Sequence, residues 1–202
     1  MPKIKRILSG IQPLSKMIRY RLPVQKDTVA LTFDDGPHPI YTEKVLEILA
    51  NHSATATFFL LGNACLQYPE LVRNIIAAGH AIGIHGMDHS SRNIVRQVQQ
   101  CCNALTKLGM HTKAFRPPRG QLPAISFCGL ALRGYTTFIW SHDRRDSLRA
   151  EGKWMNTVAP ICSIRAGDII LMHDDNDVCL KELPEILNHL EKRGLKTCRL
   201  GE

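Results

Sequence analysis

Short apolar runs rich in β-branched and aromatic residues alternate along this chain with longer segments whose apolar residues recur at helical spacing. The short runs predict strands at residues 28–33, 54–60, 81–85, 113–116, 135–140, 168–172 and 195–200. The longer segments predict helices at residues 41–51, 69–78, 90–108, 151–164 and 180–192. This alternation favours a parallel sheet in a single α/β domain, and periodicity alone leaves both a barrel and a doubly wound sheet open.

Capping and helix-breaking residues refine two of the predicted helices. Ser90 or Ser91 is expected to cap the helix at 90–108, and Gly109 is expected to close it. Pro160 lies inside the helix predicted at 151–164, where it should kink or end the helix.

Composition and charge distribution limit the classes of function. The 202 residues are 44% apolar and 22% charged, which is ordinary for one globular domain. Seven of the 26 basic residues and none of the 18 acids lie in residues 1–26, so the remainder carries a charge of only +1. Binding to nucleic acid over the whole surface is therefore not expected. We divide the chain into a basic N-terminal arm, residues 1–26, and a domain at residues 27–202.

The basic arm has four apolar residues at helical spacing: Ile4, Ile7, Leu8 and Ile11. They predict a short amphipathic turn that is too short and too charged to span a bilayer, and the arm lacks the features of a signal peptide. Weak peripheral contact with anionic lipid is one interpretation. The other interpretation is that the arm is a solvated leader or a first helix packed on the domain. We favour this second interpretation.

Seven cysteines are scattered along the chain without a Cys-x-x-Cys pair. This argues against a disulfide framework and against a zinc ribbon. Because no export signal is recognised, we expect a cytoplasmic protein that could also lie peripherally on the inner face of the membrane.

Two adjacent acids, Asp34 and Asp35, follow the first predicted strand, and Gly36-Pro37 then ends that strand. In α/β folds the carboxyl ends of strands carry the chemistry. One acid could bind a metal while its neighbour handles a proton. The alternative is an ordinary turn of Asp, Gly and Pro.

Four further strand ends carry polar residues: 85–89, 116–119, 140–146 and 173–174. In a parallel fold these ends share one face and can form one cleft. His85 and His89 are four residues apart, a spacing that lets both bind one metal on a helical turn. Together with Asp35 they would make a three-ligand site that leaves room for water.

The remaining polar residues at these ends suit a hydrolytic site. Arg116 can pair with Asp34, and Asp146 can pair with Arg116 or with a protonated histidine. His173 follows a wholly apolar strand and would serve as general acid, because a leaving amine must be protonated. Each residue also has an alternative role. Arg116 could form a surface ion pair, and Asp143 and Asp146 could be solvated loop acids. His173-Asp174 could cap a helix.

Five motifs together resemble those of the NodB-homology polysaccharide deacetylases, the family-four carbohydrate esterases. They are Thr32-Phe33-Asp34-Asp35-Gly36-Pro37, His85-x-x-x-His89, Phe115-Arg116-Pro117-Pro118-Arg119-Gly120, the stretch 140–146, and Leu171-Met172-His173-Asp174. The resemblance implies a distorted (β/α)7 barrel and metal-dependent removal of an N-acetyl group from an amino sugar.

The resemblance also implies a role for each matched residue. Asp34 corresponds to the catalytic base, Arg116 to the arginine that orients it, Asp146 to the acid that tunes the network, and His173 to the general acid. The implied metal ligands are Asp35, His85 and His89. The implied substrate-binding residues are Pro118, Arg119, Trp140 and Leu171. One divalent ion is expected, zinc by default, although cobalt, nickel or iron would also suit these ligands.

Four positions depart from the family pattern. Gly86 stands where Ser or Thr is frequent and Ser90 where Pro is frequent, and neither position supplies a ligand. Arg119 replaces a common aromatic residue and Ser147 a usual Trp, so these two affect the expected substrate class. If the main-chain N–H of Arg119 donates to an oxyanion, its side chain is free to meet an anionic substrate group.

The partner expected from these observations is an N-acetylated oligosaccharide, polysaccharide or glycan precursor, and not nucleic acid. Alternatives are deformylation or deacetylation of a lipid-linked amino sugar, and a silent carbohydrate-binding homologue. Two histidines and a carboxylate also describe iron oxygenases, which need no second adjacent Asp and no general acid. A nucleic-acid-binding module would rest on the basic arm alone. The oligomeric state is not predicted.

Overall fold

The computed structural model describes residues 14–23, 27–154 and 156–201, and within these ranges the strands form a single curled sheet. The strands are β1 (Ile18–Arg19), β2 (Thr28–Asp34), β3 (Thr57–Leu60), β4 (Ala81–Ile84), β5 (Ala114–Phe115), β6 (Thr136–Phe138), β7 (His142–Asp143), β8 (Ile169–His173) and β9 (Lys196–Cys198). The helices are α1 (Thr42–Asn51), α2 (Gly62–Gln67), α3 (Pro69–Ala77), α4 (Ile94–Lys107), α5 (Ala124–Ala131), α6 (Asp146–Ala150) and α7 (Asp177–Lys192).

The sheet is parallel and curls toward closure. Its order is β1-β6-β5-β4-β3-β2-β8-β7, and β9 pairs with the start of β2. An antiparallel bridge joins Arg21, just after β1, to Asp168, just before β8. The Leu22 N–H donates to the Gly167 carbonyl over 2.9 Å at the same seam. The expected (β/α)7 barrel is thereby confirmed over the doubly wound alternative.

Alternation along β2 determines which residues enter the barrel. Phe33 packs outward under the helices and stacks on Phe58 at 4.9 Å between ring centroids. The opposite face belongs to a second cluster inside the barrel, which includes Ala30 and Phe59. Gly83 makes room there, because a Cβ at this position would lie 2.4 Å from the Phe59 ring. With a side-chain period of two, the face that carries Ala30 also carries Thr32 and Asp34.

Four of the five predicted helices are present, with ends shifted by a few residues, as α1, α3, α4 and α7. The helix predicted at residues 151–164 is wrong. The chain is helical before it, in α6, and then leaves the helix at Gly152, whose φ is +68°. Among the described residues downstream, the only helical element of this stretch is a single 3₁₀ turn, Ile161–Ser163, which follows Pro160. Glycine in a left-handed conformation and the proline ring explain why the helical pattern is not used.

The predicted cap of α4 also needs correction. The residue before α4 is Asn93, in a left-handed conformation and without a side-chain capping bond. Ser90 instead accepts a hydrogen bond at its hydroxyl from the Arg92 N–H over 3.1 Å. It therefore shapes the loop before the helix rather than capping it.

The strands β1 and β7 and the helices α2, α5 and α6 were not predicted. Two-residue strands are too short for an alternating pattern, and α5 is apolar nearly all round, so it has no helical periodicity to recognise.

Two residues assigned to the basic arm lie in the sheet, because β1 pairs in parallel with β6. Residues 1–13, which include the predicted amphipathic turn, and residues 24–26 lie outside the described residues, so the boundary at residue 26 stays a prediction. The seven cysteines are free thiols in the structure. In the part of the chain that the structure describes, no helix is both long and apolar enough to cross a membrane.

Candidate active site

The five polar strand ends meet around one cavity of about 460 Å³ at the carboxyl edge of the sheet. Eight of the predicted site residues line it: Asp34, Asp35, His85, His89, Arg119, Trp140, Leu171 and His173. Arg116 and Asp146 lie behind it, each in contact with a residue that lines it.

Asp34 ends β2 on the inner face of the barrel and is held by Arg116. The Arg116 Nη1 donates to Asp34 Oδ1 over 2.7 Å and to Thr32 Oγ1 over 2.8 Å. Its Nε donates to the Phe138 carbonyl over 3.2 Å, and its guanidinium lies 4.2 Å from the centroid of the Phe59 ring. Of the two partners left open for Asp146, Arg116 is thus excluded, because it is committed to Asp34.

His85 ends β4 in an orientation that leaves one ring nitrogen free. Its Nδ1 lies 2.9 Å from the Arg116 carbonyl, which can only accept, so Nδ1 carries the proton and donates. The lone pair is then on Nε2, 3.4 Å from Asp35 Oδ1. Burial lowers the pKa of His85 to about 4, so the ring is neutral and available as a ligand.

His89 reaches the same point through a loop, not through a helical turn. Its φ of +59° turns the chain back, and its Nε2 lies 3.5 Å from Asp35 Oδ1. The helical-turn geometry expected from the four-residue spacing is therefore wrong, although the two rings do lie together. Gln97 of α4 secures this loop, since its Oε1 accepts from the N–H groups of Met87 at 2.8 Å and Asp88 at 3.2 Å.

Asp35 provides the observation that tests this donor set. Its Oδ1 is buried without a hydrogen-bond partner and faces both histidines. Burial raises the pKa of its carboxyl to about 7, and the charge of Asp34 adds to that rise. The ligand atoms of Asp35, His85 and His89 lie within 4.8 Å of one another. Two imidazoles, one orphaned carboxylate oxygen and open space beside them suit a divalent cation.

His173 ends β8 and is paired with Asp146. The Asp146 Oδ1 lies 3.0 Å from His173 Nδ1, and its Oδ2 accepts from the His173 main-chain N–H over 2.8 Å. Asn176 donates to the same Oδ2 over 3.1 Å. Burial lowers the pKa of His173, but the hydrogen bond and charge of Asp146, with the charges of Asp34 and Asp35, raise it overall to about 10. His173 is therefore protonated at neutral pH, with Nε2 toward the cavity.

Asp174 packs against Gly36, which follows the two adjacent acids, and does not cap a helix. Its carboxylate is fully buried and accepts a hydrogen bond from the Thr42 hydroxyl at the start of α1. A Cβ on Gly36 would lie 2.3 Å from Asp174 Oδ1, so only glycine permits this approach. The cap of α7 is Asn176, whose side chain accepts from the Cys179 N–H over 2.9 Å.

Three of the four predicted substrate-binding residues line the cavity, and the fourth does not. Leu171, Trp140 and Arg119 line the cavity, whereas Pro118 is buried and outside its lining, so its assignment stays a prediction. Arg119 has a φ of +58° and an exposed side chain. Beside it, a Cβ on Gly120 would lie 2.9 Å from the Trp140 ring, so the indole rests close against this stretch of main chain.

Several residues of the site were not found from the sequence. Thr32, Gln97 and Asn176 position other groups, and only Gln97 carried a signal, as a polar residue on the buried face of α4. Part of the outer cavity wall was also missed. It consists of Leu148 in α6 and of Glu151 and Lys153 just after this helix. A five-residue helix followed by irregular chain leaves no periodic pattern to indicate them.

Comparison with known proteins agrees with this geometry. A family model described as polysaccharide deacetylase matches residues 21–138. A peptidoglycan-N-acetylglucosamine deacetylase of Bacillus cereus is 31% identical over 202 residues, which cover 92% of each chain. A chitooligosaccharide deacetylase of Sinorhizobium fredii is 36% identical over 155 residues, 73% of this chain and 72% of that one.

Solved structures are similar over nearly the whole chain. The Bc1960 peptidoglycan N-acetylglucosamine deacetylase, solved with 4-naphthalen-1-yl-N-oxidanyl-benzamide, superposes with a TM-score of 0.83 at 28% identity, covering 92% of both chains. A family 4 carbohydrate esterase from Streptomyces lividans, in complex with acetate, gives 0.75 at 28% identity, covering 86% of this chain and 93% of that one. The chain therefore belongs to the polysaccharide deacetylase family and is an amide hydrolase that removes N-acetyl groups from the amino sugars of oligosaccharides.

Proposed function

We propose that the enzyme deacetylates N-acetylglucosamine units of an oligosaccharide or glycan precursor. It would use one divalent ion, preferably zinc, held by Asp35, His85 and His89. One observation carries the proposal: the orphaned Oδ1 of Asp35 faces two histidines, and Asp34 and His173 line the same cavity. The substrates named for its relatives, peptidoglycan N-acetylglucosamine and chitooligosaccharide, support this choice of sugar. When bound, the ion would polarise the acetyl carbonyl and lower the pKa of water.

Asp34 would act as the general base. A carboxylate can take the proton of the attacking water only if it stays ionised and correctly aimed. The Arg116 guanidinium provides both conditions, since it is buried, donates to Oδ1 over 2.7 Å and is itself fixed by Thr32 and Phe138. Asp34 Oδ2 stays directed toward His85 at 3.7 Å, on the side of the proposed ligands. General base catalysis of this kind typically contributes about 10²–10⁴-fold to the rate.

His173 would act as the general acid. Asp146 occupies its Nδ1, so the second ring nitrogen can donate a proton only into the cavity. Water adds to the acetyl carbon, the C–N bond breaks, and its electron pair takes the proton from His173 Nε2. The products are acetate and the free amine of the sugar. A developing oxyanion would be stabilised by a main-chain N–H, for which Arg119 is our candidate.

Arg119 narrows the proposed substrate class. Its exposed side chain lines the cavity. Burial lowers the pKa of the neighbouring His89, and the positive charge of Arg119 lowers it further. An exposed guanidinium at this position suits a substrate with a carboxylate or phosphate near the N-acetylated sugar. A soluble nucleotide-linked or lipid-linked precursor would carry such a group, and a formyl group in place of acetyl is compatible with the same chemistry. We propose the cytoplasm as the location, because all seven cysteines are free thiols and a reducing compartment keeps thiols in that state.

The experiment is a screen for released acetate and formate with zinc-loaded protein. Substrates should include N-acetylated chitooligosaccharides, peptidoglycan fragments, and nucleotide-linked and lipid-linked amino sugars. Asp34→Asn is the matched control, because it keeps the proposed ligands and removes the base. We expect acetate from at least one substrate with the wild type and little with the variant. Equal release by the two proteins would refute the assignment of the base, and no release from any substrate would refute the proposed substrate class.

A further inference from the structure

Acidic residues are absent from two long parts of this sequence. All 18 acids lie within residues 27–88 and 143–202. Residues 1–26 and 89–142 contain none, and together they hold 14 of the 26 basic residues. So uneven a distribution concentrates positive potential wherever the two stretches meet in the fold.

The fold brings the two acid-free stretches to one side of the barrel. The 3₁₀ turn at Leu14–Met17 packs on α5, and α5 packs on α4. On this surface, which we call the α4–α5 face, the exposed bases Arg96 and Arg133 line one cleft between α4 and α5. Three further exposed bases, Lys16, Arg92 and Lys107, lie in the 3₁₀ turn, just before α4 and at its last residue. Among the described residues none of these five forms an ion pair. Their charges are therefore uncompensated.

Apolar side chains also protrude from α5. Ile125 is 85% exposed and Leu132 is 67% exposed, and Cys128 between them is also exposed. Their spacing of three and four residues places them on one side of α5, while Leu130 and Ala131 on the other side are buried. A helix that is apolar all round is normally covered, yet the outer side of α5 is not covered by any residue that the structure describes.

We propose that the α4–α5 face docks on an anionic lipid surface. The binding partner must suit two features of this face: its uncompensated positive charge and its exposed apolar side chains. A nucleic acid would attract the bases but offers no apolar phase for Ile125 and Leu132. A second copy of this chain would bring the same positive charges into contact. An anionic bilayer suits both features. Its headgroups attract Arg96 and Arg133, and its interface accepts the apolar side chains of Ile125 and Leu132.

The test is sedimentation of the 202-residue chain with lipid vesicles at low and high salt. Vesicles of phosphatidylcholine alone are compared with vesicles that also contain phosphatidylglycerol. We expect binding only to the anionic vesicles, and loss of binding at high salt. Ile125→Ser/Leu132→Ser and Arg96→Gln/Arg133→Gln should each weaken vesicle binding by roughly tenfold or more. Both double variants alter exposed residues, so turnover on a soluble substrate should be unchanged.

Matched controls come from the acid-containing part of the chain. Ile40 is 57% exposed, so Ile40→Ser removes a comparable apolar side chain, and Lys44→Gln/Arg73→Gln removes two exposed charges. Both controls should bind vesicles as the wild type does. The proposal is overturned if the wild type ignores anionic vesicles at low salt. It is equally overturned if deletion of residues 1–13 abolishes binding while Ile125→Ser/Leu132→Ser does not, or if that double variant changes only the oligomeric state in sedimentation velocity.

Discussion

Arg116 Nη1 donates to Asp34 Oδ1 over 2.7 Å, and the guanidinium has no exposed surface. The ends of strands β2 and β5, which are separated in the sheet by β3 and β4, are thus joined through the barrel interior. The same arginine accepts from His85 Nδ1 at its carbonyl, so a single residue orients both the proposed base and a proposed ligand.

Breaking this pair should destabilise the fold as well as the site. Arg116→Ala leaves the Asp34 carboxylate buried without its cation, which typically costs about 3–5 kcal/mol. Urea unfolding of the metal-free protein measures the free energy of unfolding. Arg133→Ala, an exposed arginine, is the control and should change it by less than about 0.5 kcal/mol. Similar values for the two variants would contradict the importance of the buried pair.

The proposed ligands should be separable from a nearby histidine. His89→Ala removes a ring nitrogen from the cluster and should lower the zinc content after dialysis against buffered zinc. His38→Ala is the control, because His38 Nδ1 accepts from the Ile40 N–H over 3.2 Å and lies outside the cluster. A chelator should abolish turnover of the wild type, and a divalent ion should restore it. Unchanged zinc content in His89→Ala would refute the ligand assignment.

The two adjacent acids should differ in phenotype. Asp34→Asn removes the proposed base and should lower kcat by at least about 10²-fold while zinc stays bound. Asp35→Asn removes a ligand and should lower both zinc content and kcat. Zinc analysis and turnover on the same preparations make the comparison. Loss of zinc in Asp34→Asn with retention in Asp35→Asn would mean that the two roles are reversed.

Removing Asp146 should shift the pH profile in one direction. Burial lowers the pKa of His173, and Asp146 is the main group that raises it to about 10. In Asp146→Asn the raising charge is gone, so the pKa falls and the protonated acid is lost at lower pH. The alkaline limb of kcat against pH should move down by about one unit or more, with both proteins loaded with the same metal.

Asp143→Asn is the matched control for this pH profile. Asp143 lines the same cavity but pairs with Arg145 at 3.2 Å rather than with His173. Its substitution should leave the alkaline limb in place. An unshifted profile in Asp146→Asn would show that His173 is not the group titrating there.

Arg119 should matter only for anionic substrates. Arg119→Ala should raise KM roughly tenfold for a substrate with a carboxylate or phosphate near the reacting sugar, since a charge-assisted hydrogen bond is lost. The KM for a neutral chitooligosaccharide should stay the same. Arg133→Ala, an exposed base away from the cavity, should change neither value. Equal effects of Arg119→Ala on both substrates would contradict the proposed anionic group.

Local sequence was informative where a pattern repeats or a breaker interrupts it. Continuous apolar runs indicated strands such as β2 and β8, and Gly36-Pro37 marked the end of β2 behind two acids. Parallel strands share one carboxyl edge, so the residues after them could be predicted to meet. The order of the motifs along the chain then pointed to the family without any knowledge of distances.

Only the tertiary structure decided which of these residues touch. The sequence left Asp146 with two possible partners, and packing gave it His173 because Arg116 is held by Asp34 across the barrel. The His89 loop depends on Gln97, whose contacts are made by a helix rather than a neighbouring strand. The β1 pairing and the apolar outer side of α5 were equally unreadable, since neither leaves a periodic signal. Periodicity is a local property, whereas partner choice among buried polar groups is decided by the packing of segments remote in the chain.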